Sequence, residues 1–252
     1  VAEVLGGAHP FKAFGRAAGM RWTEAAARVS ARCREHLEAF RVATGFDALR
    51  RIRGYCEMCL GGLRDQCDRC GSRLAGFMDE HPQSALMPAA WYWTGRLRDA
   101  NRDRAGSIEA FQAGLRMLPR FMSVFRVRMG HAALRSSRWA LAAECFDEVA
   151  MRSPLRFHRR LAALLQARAL VELGQLDRAV ALAELCLDLS RKYRKQAMAV
   201  ICLAARRRMG AQDHDTPECQ RLAEAFPGST TAEDVLHDLP SLSWRLTNLP
   251  SD

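Results

Sequence analysis

The sequence predicts an all-α protein: an α-solenoid of three to four helix pairs, preceded by helices and a small cysteine-bearing loop module. Three observations lead there. Gly95 recurs as Gly130, Phe111 as Phe146 and Pro119 as Pro154, each shifted by 35 residues. A fixed period of that length marks stacked helix pairs. Upstream, apolar residues repeat at helical spacing between glycine and proline breaks. Between the two regions lie two CxxC pairs, Cys56 with Cys59 and Cys67 with Cys70.

Taken in chain order, Trp22 to Ala43 carries Ala26, Val29, Cys33, Leu37 and Phe40 on one helical face, with Thr23 as N-cap and Glu24 in the first turn. Gly45 ends it. A short amphipathic helix from Asp47 to Arg53 follows, and Gly54 leads into Tyr55 to Gly71, which reads as a loop. The divisions are residues 1–54 for the N-terminal helical segment, 55–73 for the cysteine module, 88–226 for the repeats and 227–252 for a capping helix and acidic tail. Thr231 and Asp234 form a capping-box pattern opening a helix from Ala232 to Leu239, stopped by Pro240.

Two cysteines at i and i+3 can face one ion, and four thiolates satisfy tetrahedral zinc. Cys56, Cys59, Cys67 and Cys70 are therefore the candidate ligands of one structural Zn2+, with Gly61, Gly62 and Gly71 supplying turns. The arrangement resembles a small zinc ribbon or zinc knuckle. An iron–sulfur cluster and redox dithiols use the same residues and stay open. Covalent haem does not fit, because Leu60 and Gly71 stand where its histidine belongs.

Within the repeats, Trp91, Gly95, Phe111 and Pro119 supply a large residue, a small residue, an aromatic and a terminating proline; Gly130, Ala142, Phe146 and Pro154 repeat the set. A third unit follows with Ala167, Leu170, Gly174, Ala179 and Ala183, and a degenerate fourth with Ala199 and Gly210 before Pro217. This pattern resembles the tetratricopeptide repeat. Gly95, Gly130 and Ala167 are expected to let paired helices approach closely, and Phe111 and Phe146 to fill the space between adjacent pairs. The resemblance implies a partner-binding groove on the first helices, lined by Tyr92, Arg96, Val127, His131, Arg135, Leu164, Arg168, Val171, Arg207 and Arg208.

The formal charge of +10 is unevenly placed, with +3 on residues 1–87, +13 on 88–212 and −6 on 213–252. A basic array favours acidic or amphipathic protein segments, nucleic acid or anionic surfaces. Arginines among apolar residues grip carboxylates in pairs. The expected function is a non-catalytic protein–protein interaction scaffold or a subunit of a larger complex. The alternative is RNA or ribonucleoprotein binding, since pentatricopeptide arrays share the period.

Nucleophile-elbow glycines, a phosphate-cradling loop and an HExxH motif are absent, so the reading is not an enzyme. The sequence contains no apolar run long enough to span a membrane. Cys33, Cys145, Cys186, Cys202 and Cys219 are scattered through helical patterns, which reads as small core residues in a reducing compartment, cytoplasm or mitochondrial matrix.

Overall fold

The computed structural model describes residues 45–60, 67–118, 123–210, 216–227 and 231–237, together with Ala31 and Glu35. The helix expected over Trp22 to Ala43 lies otherwise outside the described residues. Two helices come first, α1 (Phe46–Leu60) and α2 (Cys67–Glu80). The array follows as α3 (Met87–Ala100) with α4 (Arg104–Arg116), α5 (Ser123–Arg135) with α6 (Trp139–Arg152), and α7 (Arg156–Glu172) with α8 (Leu176–Glu184). A fourth pair, α9 (Arg191–Met209) and α10 (Pro217–Ala225), precedes the short α11 (Ala232–His237). From α1 to α10 each helix packs on its chain neighbours, α11 packs back on α9, and two first-helix contacts recur, α3 with α5 and α7 with α9. This is the predicted solenoid.

Each pair turns at a residue in the left-handed region: Arg102 (φ 65°), Ser137 (56°), Gly174 (72°) and Gly210 (61°). In the first three turns one backbone bond recurs, from the N–H of Asp103, Arg138 and Gln175 to the carbonyl of Arg98, Ala133 and Leu170, at 2.9 Å each. That bond closes a Schellman-type helix end. The turn is thus periodic even where the glycine is missing, and Arg102 and Ser137 occupy a conformation that costs an L-residue about 1–2 kcal/mol.

Inside each pair, the first helix carries a small residue and the second an aromatic. A Cβ on Gly95 would stand 2.6 Å from the Phe111 ring, and one on Gly130 2.8 Å from that of Phe146. Both phenylalanines are buried. Their role differs from the expectation: each fills its own pair, because only a glycine opposite leaves room for a ring. Between the first two pairs, Phe125 does the filling, set edge-on to Phe111 and lying where a Cβ on Gly114 would be 2.4 Å away. In the third pair Ala167 and Ala183 take these places, both buried. In the fourth, Cys202 and Cys219 are joined by a disulfide between α9 and α10.

That bond corrects the reading of the scattered cysteines. Cys145 and Cys186 are buried free thiols as expected, with burial pushing them up to about 12 and about 11; Cys33 lies outside the described residues. Disulfides persist in oxidising surroundings, so the cysteine pattern no longer argues for a reducing compartment. No described helix is long and apolar enough to cross a membrane.

A second correction concerns Tyr55 to Gly71. Among the described residues this stretch is helical, with Cys56 and Cys59 in α1 and Cys67 and Cys70 in α2. Leu49, Ile52, Cys56 and Cys59 form one buried stripe of α1, and Cys70, Leu74 and Phe77 another on α2. The glycines misled the reading: a Cβ on Gly54 or Gly71 meets nothing within 4 Å, so they sit on open helix faces rather than in turns.

The two stripes join Met87, Ala90, Trp93 and Leu97 of α3 in an N-terminal core, while a larger core runs from Ile108 to Leu236. Tyr92 packs against both. The Asp234 N–H donates to Thr231 Oγ at 3.1 Å, opening α11 at Ala232, and Ala232, Val235 and Leu236 are buried as α11 packs on α9. Phe111→Ala and Phe146→Ala should each lower the unfolding free energy by about 3–5 kcal/mol in urea titrations. Losses under about 1 kcal/mol, typical of surface sites, would show that the glycine pockets are not load-carrying contacts.

Candidate functional site

The expected groove residues divide into three groups. Val127, His131, Leu164 and Val171 are buried, each at 2% exposure or less. They hold the first helices together and are not offered to a partner, which corrects that part of the groove. The reason is the helical phase: these positions turn into the core, α5 packing on α4 and α6, and α7 on α6, α8 and the next first helix α9.

The second group is exposed at least in part but already engaged. Arg135 pairs with Asp99, as does Arg104; Arg168 and Arg207 both pair with Glu172; Arg208 pairs with Asp177. Burial works to raise the Glu172 carboxyl, yet the hydrogen bonds from Arg207 and Arg168 outweigh it and hold it below its ordinary value. Arg207 also donates to the Val171 carbonyl at 2.8 Å. Four equivalent positions near the ends of the first helices therefore alternate in charge, as Asp99, Arg135, Glu172 and Arg207. Asp99 with Arg135 ties the first pair to the second, and Glu172 with Arg207 the third to the fourth.

The third group, Tyr92 and Arg96, lines an open groove of about 470 Å³ between α1, α3 and α5. Leu86, Trp93, Leu118 and Phe125 give it an apolar wall, and Arg53 and Glu57 of α1 close one side, paired at 2.9 Å. The Arg96 guanidinium lies 5.6 Å from the Trp93 ring centre and 5.9 Å from that of Tyr92, and Arg53 lies 6.0 Å from Trp93. Such cation–ring contacts hold an arginine along its aromatic floor, and Arg96 also donates to the Tyr92 hydroxyl at 3.4 Å. Arg128 of α5 stands nearby: burial and then the like charge of Arg96 hold it below its ordinary value, and Tyr92 works in the opposite direction. Arg96 and Arg128 together place positive charge beside the aromatic rings of this groove. Sequence reasoning missed Arg53, Trp93 and Phe125, since nothing local in α1 signals that it packs beside α3.

The four-cysteine region forms the second candidate. Cys56, Cys59 and Cys70 are buried where α1 meets α2, and the Cys59 and Cys70 sulfurs are 3.0 Å apart. Two ligands of one tetrahedral zinc stand about 3.8 Å apart. The side chain of Cys67 lies outside the described residues, and among those described no three metal-binding groups gather around one point. The donor chemistry fits a soft divalent ion.

Set against known proteins, the chain matches no family model and no curated protein. Solved structures do match. Residues 41 to the end of MamA from Desulfovibrio magneticus RS-1 superpose with a TM-score of 0.56 at 17% identity, over 81% of this chain and 98% of that one. A MamA RS-1 ArsTM double mutant superposes at 0.55 and 16%, over 80% and 97%. YrrB, a TPR protein with an unusual peptide-binding site, does so at 0.54 and 12%, over 78% and 90%. The fold is the tetratricopeptide solenoid. In this solenoid the expected aromatic-and-glycine pairing is met twice, by alanines once and by a disulfide once.

His131 of α5 supplies a pH test of the register. It is fully enclosed against the Phe146 ring, 5.5 Å between centres, and neither ring nitrogen has a hydrogen-bond partner. Burial first, then Arg135 and Arg128, hold its basicity well below the ordinary value. The folded state therefore keeps it neutral while the unfolded chain protonates near pH 6.5, so its contribution is complete above that pH and lost below it. Urea titrations at pH 7.5 and 5.5 should show the parent losing about 1 kcal/mol more than His131→Leu. Equal losses would mean that His131 is solvated.

Proposed function

We propose that this chain is a non-catalytic scaffold that holds a segment of a partner protein in the groove of Tyr92, Trp93, Arg96 and Phe125. The observation that carries the reading is the Arg96 guanidinium laid over the Trp93 and Tyr92 rings beside an apolar wall, with Arg53, itself paired to Glu57, at the groove's edge. The likeness to YrrB supports a peptide as the occupant, and the cations favour one with a carboxylate beside an apolar anchor. A labelled set of acidic amphipathic 15-residue peptides, followed by fluorescence anisotropy, tests this. Binding should fall at least tenfold, about 1.4 kcal/mol, in both Tyr92→Ala and Arg96→Glu. Peptide binding unchanged by these substitutions, or a preference for single-stranded RNA with a steep salt dependence, would overturn it.

We propose further that Cys56, Cys59, Cys67 and Cys70 hold a structural zinc that fixes α1 against α2, and with it the Arg53 side of the groove. Buried thiols converging from two helices support this, as does the softness of the donor set. Metal analysis of the purified chain should give one zinc per chain, and Cys67→Ser should lose it while most helicity remains. A parent without zinc, or a variant with unchanged stoichiometry, refutes the assignment.

A further inference from the structure

The connections that join one helix pair to the next lie at the end of the helices opposite the left-handed turns. Two of them, α6 to α7 and α8 to α9, present apolar side chains to solvent: Met151 at 76% exposure, Leu155, Phe157, and Leu185 at 56%. These form one patch. Met151 and Leu185 line a single recess of about 690 Å³ together with Arg156 and Arg160, and the Phe157 ring stands edge-on to Tyr193 in the first turn of α9, 5.6 Å between centres. Exposed apolar residues scattered singly need no partner, whereas a group of four on adjacent connections marks a surface that meets one.

The same stretches are cationic. Residues 151–160 carry four arginines and no acid, and residues 184–195 carry two arginines and two lysines against Glu184 and Asp188. Asp188 pairs with Arg160. The other side-chain bonds here run to backbone: Arg160 donates to the Leu185 carbonyl, Arg194 to that of Leu187 at 2.8 Å and Arg159 to that of Ser153 at 3.2 Å. A carbonyl satisfies an N–H without cancelling its charge, so these bonds brace the connections and leave the edge positive. At the opposite end of the helices Asp99, Glu172 and Asp177 balance Arg135, Arg207 and Arg208.

We propose that this edge docks the chain on an anionic lipid bilayer, with Met151, Leu155, Phe157 and Leu185 seated at headgroup depth and the surrounding arginines and lysines on lipid phosphates. Apolar tips ringed by long basic side chains match such an interface, where stems lie along apolar surface and charged ends stay in water. Each basic side chain held near an anionic leaflet strengthens binding about fivefold. Nucleic acid would engage the cations but stacks its bases on aromatic rings, and three of the four exposed residues here are aliphatic. The attachment is peripheral and uses helices other than those that form the Tyr92 groove.

The test is co-sedimentation of the whole chain with vesicles of phosphatidylcholine alone and of an equal mixture of phosphatidylcholine and phosphatidylserine. The parent should bind the mixed vesicles at least tenfold more tightly, and added salt should weaken that binding. Arg156→Glu/Lys192→Glu and, separately, Met151→Ser/Leu185→Ser should each cost at least tenfold, with helicity and urea midpoint unchanged because all four side chains are exposed. Tyr92→Ala should bind vesicles like the parent, which separates this result from that of the groove. A parent that ignores the mixed vesicles, or binding that survives Met151→Ser/Leu185→Ser, overturns the proposal. So does a parent dimer that Met151→Ser/Leu185→Ser converts to monomer, since a second copy would then cover the patch, and so does a preference for single-stranded RNA over the mixed vesicles.

Discussion

The contact on which the array depends is the insertion of a phenylalanine ring of one helix into the space left by a glycine on its partner. Gly95 with Phe111 and Gly130 with Phe146 bring the paired backbones together at distances where any side chain on the glycine would overlap the ring. This fixes the axial register of the two helices, because a ring displaced by one turn meets a larger residue. It also sets which residues of α3 and α5 remain on the outer face. Tyr92 and Arg96 are open because Gly95, between them on the helix, has turned its own face inward.

As the array proceeds, that contact is replaced rather than repeated. Two buried alanines fill the third pair at the cost of ring contact, and a disulfide joins the fourth. The covalent bond joins α9 to α10, the last helix pair among the described residues. A cross-link restricts the unfolded chain and compensates for a thin core. The short α11, tied by Glu233 to Arg206 and seated through Val235 and Leu236, completes the closure.

Electrostatics follow the same logic of neighbours. Although residues 88–212 carry a large excess of arginine, Asp99 and Glu172 each accept two guanidiniums, one of which, Arg135 or Arg207, comes from the next pair. Arg53 and Arg96, by contrast, lie over aromatic rings near α1. A charge count sees none of this selection, since it sums over all cations alike.

The helix pairs, their period, the capping box at Thr231 and the aromatic positions were legible in the sequence, because each depends on residues within about one repeat of each other and on intrinsic preferences for helix and turn. Other features were not. Val127, His131 and Leu164 looked like groove residues until neighbouring helices covered them; Cys56, Cys59 and Cys70 looked like parts of a loop until their helical phase placed them on buried stripes; and Cys202 with Cys219 looked like separate core thiols until α9 met α10. Each of these depends on which surfaces of distant helices face one another. Sequence by itself determined the elements and their repeat, since local chemistry is written residue by residue; the tertiary structure decided which side chains remain open to a partner, because exposure is a property of the packed neighbours and not of the residue.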